Sequence, residues 1–243
     1  MTPQVSEIPV AILAGGLGTR MWPVTRHVPK AMLPVAGKPF LEHQIELLKT
    51  QGVRQIVICA GLMGEQIERC FGRGESWDVD LYYSYDGLQQ LGTAGALKKA
   101  LPLLGKRFFV LYGDSYLPTD LQPILDAALR SAAPGLMTVF RNSNRWVPSN
   151  VDFLDGTIRR YDKENPRNFH YVDYGLSLLT PEALRDVPHG VTYDLGMVFR
   201  NLIHARSLAG YEAAERFFEI GSPQGLQELE VILNTMVGVH HAA

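Results

Sequence analysis

The chain has 243 residues, a net charge of −2 and two cysteines. That length suits one large α/β domain with an ample core, and the near-neutral balance, with no Lys/Arg-rich run, excludes a general electrostatic attraction to nucleic acid or anionic lipid. No apolar stretch approaches the roughly 18 residues of a membrane span, and the opening MTPQVSEIPV lacks the basic and apolar regions of a secretory leader.

Val10–Ala14 reads as a buried strand that runs into a loop with glycines at 15, 16 and 18, followed by Arg20 and Lys30. Glycine has no Cβ, so such a loop turns sharply and brings backbone N–H groups close to a ligand. With two cations nearby it suits phosphate. Phe40–Gln51 carries apolar residues at 41, 45, 47 and 48 and stops at Gly52, as a helix with a glycine end does. Gln55–Ala60 predicts a strand, Gly64–Phe71 a short helix, Val79–Ser84 a strand, Gly95–Leu104 a helix and Phe108–Tyr112 a fully covered strand. This alternation predicts an α/β fold with a doubly wound, mostly parallel sheet.

After Gly135 the pattern changes. Leu136–Phe140, Val151–Phe153, Thr157–Tyr161 and Tyr171–Leu179 read as strands with little helix between them, and Asp155-Gly156 reads as a hairpin turn. A small antiparallel portion is therefore expected, closed by helices over Thr192–Ala205 and Gln224–Thr235. Val239-His240-His241 is expected to be a disordered tail. The expectation is one domain over residues 1–243, with a nucleotide-binding half at about 8–134 and a substrate-side half at about 135–235.

Two common phosphate motifs fail on the glycine loop. Met21 stands where a dinucleotide fingerprint needs its third glycine, and Pro39 follows Gly37-Lys38 where a Walker loop needs Ser or Thr. Farther on, Gly113-Asp114 ends the apolar run. Ligands of open α/β sheets bind beyond the carboxyl ends of the strands. A carboxylate there can hold Mg²⁺ beside phosphate oxygens, or it can instead cap the next helix. Cys59 and Cys70 lack metal spacing and read as buried small hydrophobes in a reducing compartment. His27, His43, His170, His189 and His204 show no spacing for zinc or a nucleophilic triad, and Trp22, Trp77 and Trp146 read as packing residues.

The string LAGGLGTRMWPVTRHVPKAMLPVAGKP from Leu13 to Pro39, with Thr19, Arg20, Pro23, Lys30, Pro34, Lys38 and Pro39 in register, resembles the sugar-1-phosphate nucleotidyltransferases. The resemblance covers about residues 8 to 235. It implies a Rossmann-like nucleotidyltransferase fold and condensation of a nucleoside triphosphate (NTP) with a sugar 1-phosphate, giving an NDP-sugar and pyrophosphate. It implies a triphosphate seat of Leu13, Ala14, Gly15, Gly16, Gly18 and Thr19, with Gly113 at the neighbouring strand end. Arg20 would stabilise the leaving pyrophosphate, Lys30 would neutralise charge at the α-phosphoryl group, and Asp114 would bind Mg²⁺.

Phe217–Pro223 (FFEIGSP) resembles the family segment that supplies a second metal ligand, with Glu219 where an aspartate is usual. Tyr85–Gly95 would lie against the base, using Gly92, Thr93 and free N–H donors at a helix start. Leu91–Gly95 (LGTAG) resembles guanylyltransferases acting on mannose or heptose 1-phosphates. On the sugar side, Tyr161–Pro166 (YDKENP) implies Asp162 and Lys163, and Tyr171–Gly175 implies Asp173 and Gly175, with Asp173 replacing the usual asparagine; Asn150, beside Ser149, is expected to face the sugar.

The expected partners are an NTP and a sugar 1-phosphate, with no nucleic acid and no membrane, in the cytoplasm; a homo-oligomer is left open. No hexapeptide repeats follow residue 235, so an attached β-helix is not expected. A guanylyltransferase of this family would feed polysaccharide or glycan assembly. Two other readings keep the same fold: transfer of UMP or CMP to another sugar phosphate or to a non-sugar phosphate, and a non-catalytic nucleotide-sensing subunit.

Overall fold

The computed structural model describes residues 3–16, 18–61, 63–164 and 169–240, the last five by backbone alone. In chain order the elements are β1 (Val10–Ala14), β2 (Pro34–Val35), β3 (Lys38–Pro39), α1 (Phe40–Thr50), β4 (Gln55–Ala60), α2 (Gly64–Phe71), β5 (Asp80–Tyr85), α3 (Gly92–Leu104), β6 (Phe108–Tyr112), β7 (Ser115–Tyr116) and α4 (Leu121–Ser131). They continue with β8 (Gly135–Arg141), β9 (Val151–Leu154), β10 (Thr157–Tyr161), β11 (Tyr171–Leu179), α5 (Leu195–His204), β12 (Leu208–Ala213), β13 (Phe218–Glu219) and α6 (Pro223–His240).

Nine strands form one sheet in the order β5-β4-β1-β6-β11-β8-β12-β10-β9. The first four are parallel. β11 enters antiparallel between β6 and β8, and β12 pairs parallel with β8. The chain steps outward from β1 to β4 to β5, then returns across the sheet to place β6 on the other side of β1. That reversal opens a crevice at the carboxyl ends of β1 and β6, where doubly wound sheets bind ligands.

Strand alternation divides the core between two faces. Val10 and Ile12 pack with Leu41, Ile45 and Leu48 of α1, Ile67 of α2 and Ile124 of α4. Ala11, Val57 and Val110 face the other way, onto Ala94, Leu97 and Leu104 of α3 and Phe199 of α5. A third cluster joins Met21, Leu33, Val35 and Phe40 to Ile220, Leu229 and Leu233. α6 thereby anchors the long segment between β1 and α1, which has little regular structure of its own.

The expected strands appear within a residue or two of their bounds, as do the helices α1 and α2, and Asp155 and Gly156 turn the β9–β10 hairpin with φ of 48° and 75°. Some expectations need correction. α3 begins at Gly92 rather than Gly95, because the carbonyl of Tyr193 receives the amides of Ala94 and Gly95 and anchors the first turn. α5 begins at Leu195 rather than Thr192, where the Asp194 carboxylate accepts the Gly196 amide as an N-cap. α4 and β12 were not among the expected elements. The expected disordered tail is helical through His240, while His241 lies outside the described residues. Cys59 is buried as expected, but Cys70 is exposed. Trp22 is 52% exposed rather than packed. No helix of the described residues is long and apolar enough to cross a membrane.

Candidate active site

The crevice between β1 and β6 is a cavity of about 480 Å³. Leu13, Ala14, Gly15, Gly16, Gly18, Thr19, Arg20, Lys30, Gly92, Thr93, Gly113 and Asp114 all line it. Leu17 of the glycine loop lies outside the described residues. The backbone explains why glycine recurs. The Gly113 amide donates to the Leu13 carbonyl at 3.1 Å, and a Cβ on Gly113 would stand 2.6 Å from that oxygen. Gly18 has φ of 60° and its carbonyl accepts the Thr25 hydroxyl at 2.7 Å, so the loop folds back toward Lys30. Gly16 meets nothing within 4 Å on the side where a Cβ would stand.

Lys30 Nζ lies 2.6 Å from Asp114 Oδ2. Glu219 does not line the cavity, yet it borders this pair. β13 pairs with β7 so that Glu219 faces Ser115, and the Ile220 amide donates to the Asp114 carbonyl at 3.0 Å. Arg20 NH2, Lys30 Nζ and Glu219 Oε1 all come within 3.5 Å of the point that a Cβ on Gly221 would occupy. Two cations and two carboxylates thus converge beside the glycine loop. Among the described residues no group of three His, Cys, Asp or Glu could form an all-protein metal cage. One carboxylate on the cavity wall, Asp114, with a second, Glu219, beside it is a donor set that fits Mg²⁺, which keeps water and substrate oxygens in its shell.

The Tyr85–Gly95 segment forms one wall. Asp86, just beyond β5, lines the cavity and accepts the Leu91 amide on Oδ2 at 3.1 Å. Burial raises its pKa above the ordinary carboxylate value, against the opposing pull of that amide and of Lys99. Gln90 donates to the Gly15 carbonyl at 3.0 Å, tying this wall to the glycine loop. The expected free N–H donors at the start of α3 are not free at Ala94 and Gly95, since the Tyr193 carbonyl takes both at 2.9 and 3.2 Å. Thr93 Oγ1 is also engaged, with Asp194 and the Leu195 amide.

The sugar-side residues do not line this cavity. Asn150, Lys163, Asp173 and Gly175 gather around Tyr112, which does, while Asp162 borders a separate surface cavity with Arg160 and Arg200. Asp173 Oδ2 accepts Tyr161 OH at 3.1 Å and its Oδ1 accepts the Gly175 amide at 3.0 Å. The charge of Asp173 also acts on the Tyr112 hydroxyl. Asn150 Oδ1 receives the Asp173 amide at 2.9 Å. Lys163 Nζ sits over the rings of Tyr112 and Tyr161, 5.6 and 5.4 Å from their centroids. Asp162 pairs with Arg160 at 3.3 Å and takes the Glu164 amide. Gly175, with φ of 86°, lets β11 pass close to Ser115, whose Oγ lies 3.1 Å from the Cβ position. Burial, reinforced by the charge of Asp173, pushes both tyrosine hydroxyls upward, so both stay protonated donors. Asn165 and Pro166 of the same segment lie outside the described residues.

Sequence reasoning did not single out Tyr112, Asp86 or Gln90. Tyr112 had one signal, a polar tip at the end of an apolar strand beside Gly113-Asp114. Asp86 and Gln90 lay within a segment assigned to the base, with nothing local to distinguish them.

Residues 10–149 match the family model described as nucleotidyl transferase. The chain is 30% identical over 207 residues to a UTP–glucose-1-phosphate uridylyltransferase of Synechocystis, across 76% of this chain, and spans about half, 52%, of that protein's length. It is 32% identical over 176 residues to a D-glycero-alpha-D-manno-heptose 1-phosphate guanylyltransferase of Campylobacter jejuni, covering 72% of this chain and 77% of that one. Among solved structures, HddC from Yersinia pseudotuberculosis complexed with GMP-PN shares the fold, with a TM-score of 0.79 at 22% identity over 93% of this chain and 99% of that one. The fold, the glycine-loop cavity and these similarities agree: the chain belongs to the nucleotidyl transferase family.

Proposed function

We propose that the protein joins a nucleoside triphosphate to a sugar 1-phosphate, releasing pyrophosphate. The carrying observation is the convergence of Arg20, Lys30 and Asp114 on the glycine-loop cavity at the β1–β6 switch point. An oxygen of the sugar phosphate attacks the α-phosphorus, a P–O bond forms, and the bond from that phosphorus to the β-phosphate oxygen breaks. No enzyme nucleophile is required. Two anions must meet in line, so catalysis is positioning and charge neutralisation.

The glycine-loop amides seat the triphosphate, Arg20 receives the charge of the departing pyrophosphate, and Lys30 offsets charge at the α-phosphoryl group. Asp114 and Glu219 would hold a magnesium ion, which supplies charge neutralisation of the phosphates when bound. The first half of the chain seats the nucleotide. In the second half Lys163 holds the sugar phosphate, and Asn150, Asp162, Asp173 and Gly175 border the sugar.

For the base, guanine is the reading that Asp86 supports. Guanine presents an N1–H and an N2 amino group side by side, two donors that one carboxylate can accept together. Uracil and thymine offer a single N–H on that edge. The likeness to a heptose 1-phosphate guanylyltransferase points the same way.

A matrix of NTPs against sugar 1-phosphates, read as pyrophosphate release with Mg²⁺, tests the proposal. GTP with a manno- or heptose-type 1-phosphate is the expected productive pair. No release from any pair would overturn the assignment.

A further inference from the structure

Gln44 lies on α1 beneath the floor of the site and is 2% exposed. Its Nε2 donates twice, to the Tyr112 carbonyl at 3.0 Å and to the Ser115 carbonyl at 2.8 Å. Those carbonyls stand on either side of Gly113-Asp114. One side-chain amide therefore staples both ends of the short segment that carries the Asp114 carboxylate. Backbone bonds fix the middle, from Gly113 to Leu13 and from Ile220 to Asp114. Gln44 is the clamp that comes from the layer of helices.

Gln44 is not a comfortable core residue. Its Oε1 has no hydrogen-bond partner among the described residues. Leaving a buried acceptor unpaired is costly. Gln51, at the carboxyl-terminal cap of α1, shows what a purely architectural glutamine looks like here. It donates to the Thr119 carbonyl at 2.9 Å and accepts the Leu121 amide at 2.8 Å, so both ends of its amide are used. Gln51 ties α1 to the start of α4, away from the cavity.

We infer that Gln44 is a positioning residue for the reaction. Its two N–H groups hold Tyr112 to Ser115 so that the Asp114 carboxylate meets the cavity at a set place, and the unpaired oxygen is the accompanying cost. Residues behind a metal ligand commonly govern affinity as strongly as this. The inference rests on the proposed role of Asp114 in holding the divalent cation.

The test uses the full chain with Gln44→Met, which keeps length without donors, and Gln44→Asn, too short to span both carbonyls. Gln51→Met is the control for stability. Mn²⁺ binding in the presence of GTP is followed by electron paramagnetic resonance, beside Mg²⁺ titration of pyrophosphate release and urea unfolding. Both Gln44 variants are expected to weaken Mn²⁺ binding by roughly 10- to 100-fold and to raise the Mg²⁺ concentration needed for turnover. Gln51→Met is expected to lose stability and leave Mn²⁺ binding unchanged. Unchanged Mn²⁺ binding in whichever Gln44 variant folds, or an equal loss in Gln51→Met, overturns the inference while leaving the reaction intact. A wild-type chain that binds no Mn²⁺ with GTP present removes the role of Asp114 itself.

Discussion

Lys30 Nζ and Asp114 Oδ2 stand 2.6 Å apart on the cavity wall, joining two parts of the chain 84 positions apart in sequence. Both side chains are largely covered, with 13% and 30% exposure. Without substrate each neutralises the other. In the proposed reaction a triphosphate with its cation would offer both a partner of opposite sign, and binding would exchange this pair for new ones. The arrangement keeps either charge from being buried alone, which would be costly.

Under the proposed mechanism, Lys30→Ala removes one cation from the point where phosphoryl charge develops. Turnover is expected to fall by about 10²- to 10³-fold, the usual effect of losing one preorganised electrostatic contact. Steady-state pyrophosphate release measures it. Turnover near wild type would take Lys30 out of the mechanism.

Asp86→Asn exchanges one acceptor oxygen for a donor NH₂. The variant is expected to lose about 10- to 100-fold in kcat/KM for GTP, as the loss of one bidentate base contact predicts, and to gain activity with xanthosine triphosphate, whose base carries an acceptor at that position. Equal losses with every NTP would instead mean that Asp86 only holds the loop through Leu91.

The same variant carries a pH signature. Burial raises the Asp86 pKa, so the folded state favours the protonated acid and is penalised when the carboxylate is ionised. That penalty is absent below the ordinary carboxylate pKa, grows as pH rises through it, and is fully present above the raised folded value. Asp86→Asn is therefore expected to be at least as stable as wild type at neutral pH, with the difference vanishing in acid. Urea unfolding across that range reads the sign directly.

Two glycines of the cavity should respond oppositely. Gly113→Ala forces a Cβ to within 2.6 Å of the Leu13 carbonyl and is expected to destabilise the fold by about 1–3 kcal/mol, as overpacking does. Gly16→Ala meets no neighbour within 4 Å, so stability should hold while the added methyl raises KM for the nucleotide. A Gly16→Ala protein with unchanged KM would remove that part of the loop from the triphosphate seat.

The two thiols separate by environment. Burial, with a contribution from Asp86, pushes the Cys59 thiol up to about 12 although it lines the cavity, whereas Cys70 is exposed. Thiolate is the reactive form, so iodoacetamide should label Cys70, spare Cys59 and leave turnover intact. Peptide mass mapping after brief labelling reports both sites.

The local string determined much of this protein. A strand followed by glycines, with Arg20 and Lys30 at set intervals, marked the proposed phosphate side, and the continuous apolar runs at Val10–Ala14 and Phe108–Tyr112 marked covered strands, because both patterns are written in residues that are neighbours in the chain. Even Gly113-Asp114 was legible from its place at the end of an apolar strand. What depended on distant segments could not be seen there. The Tyr193 carbonyl consumes the donors expected at the start of α3, Tyr112 stands between the glycine-loop cavity and Asp173, and β13 carries Glu219 to the side of Asp114. Each requires segments tens of residues apart to be packed together, and only burial of the apolar sheet faces and of the α6 cluster sets those distances.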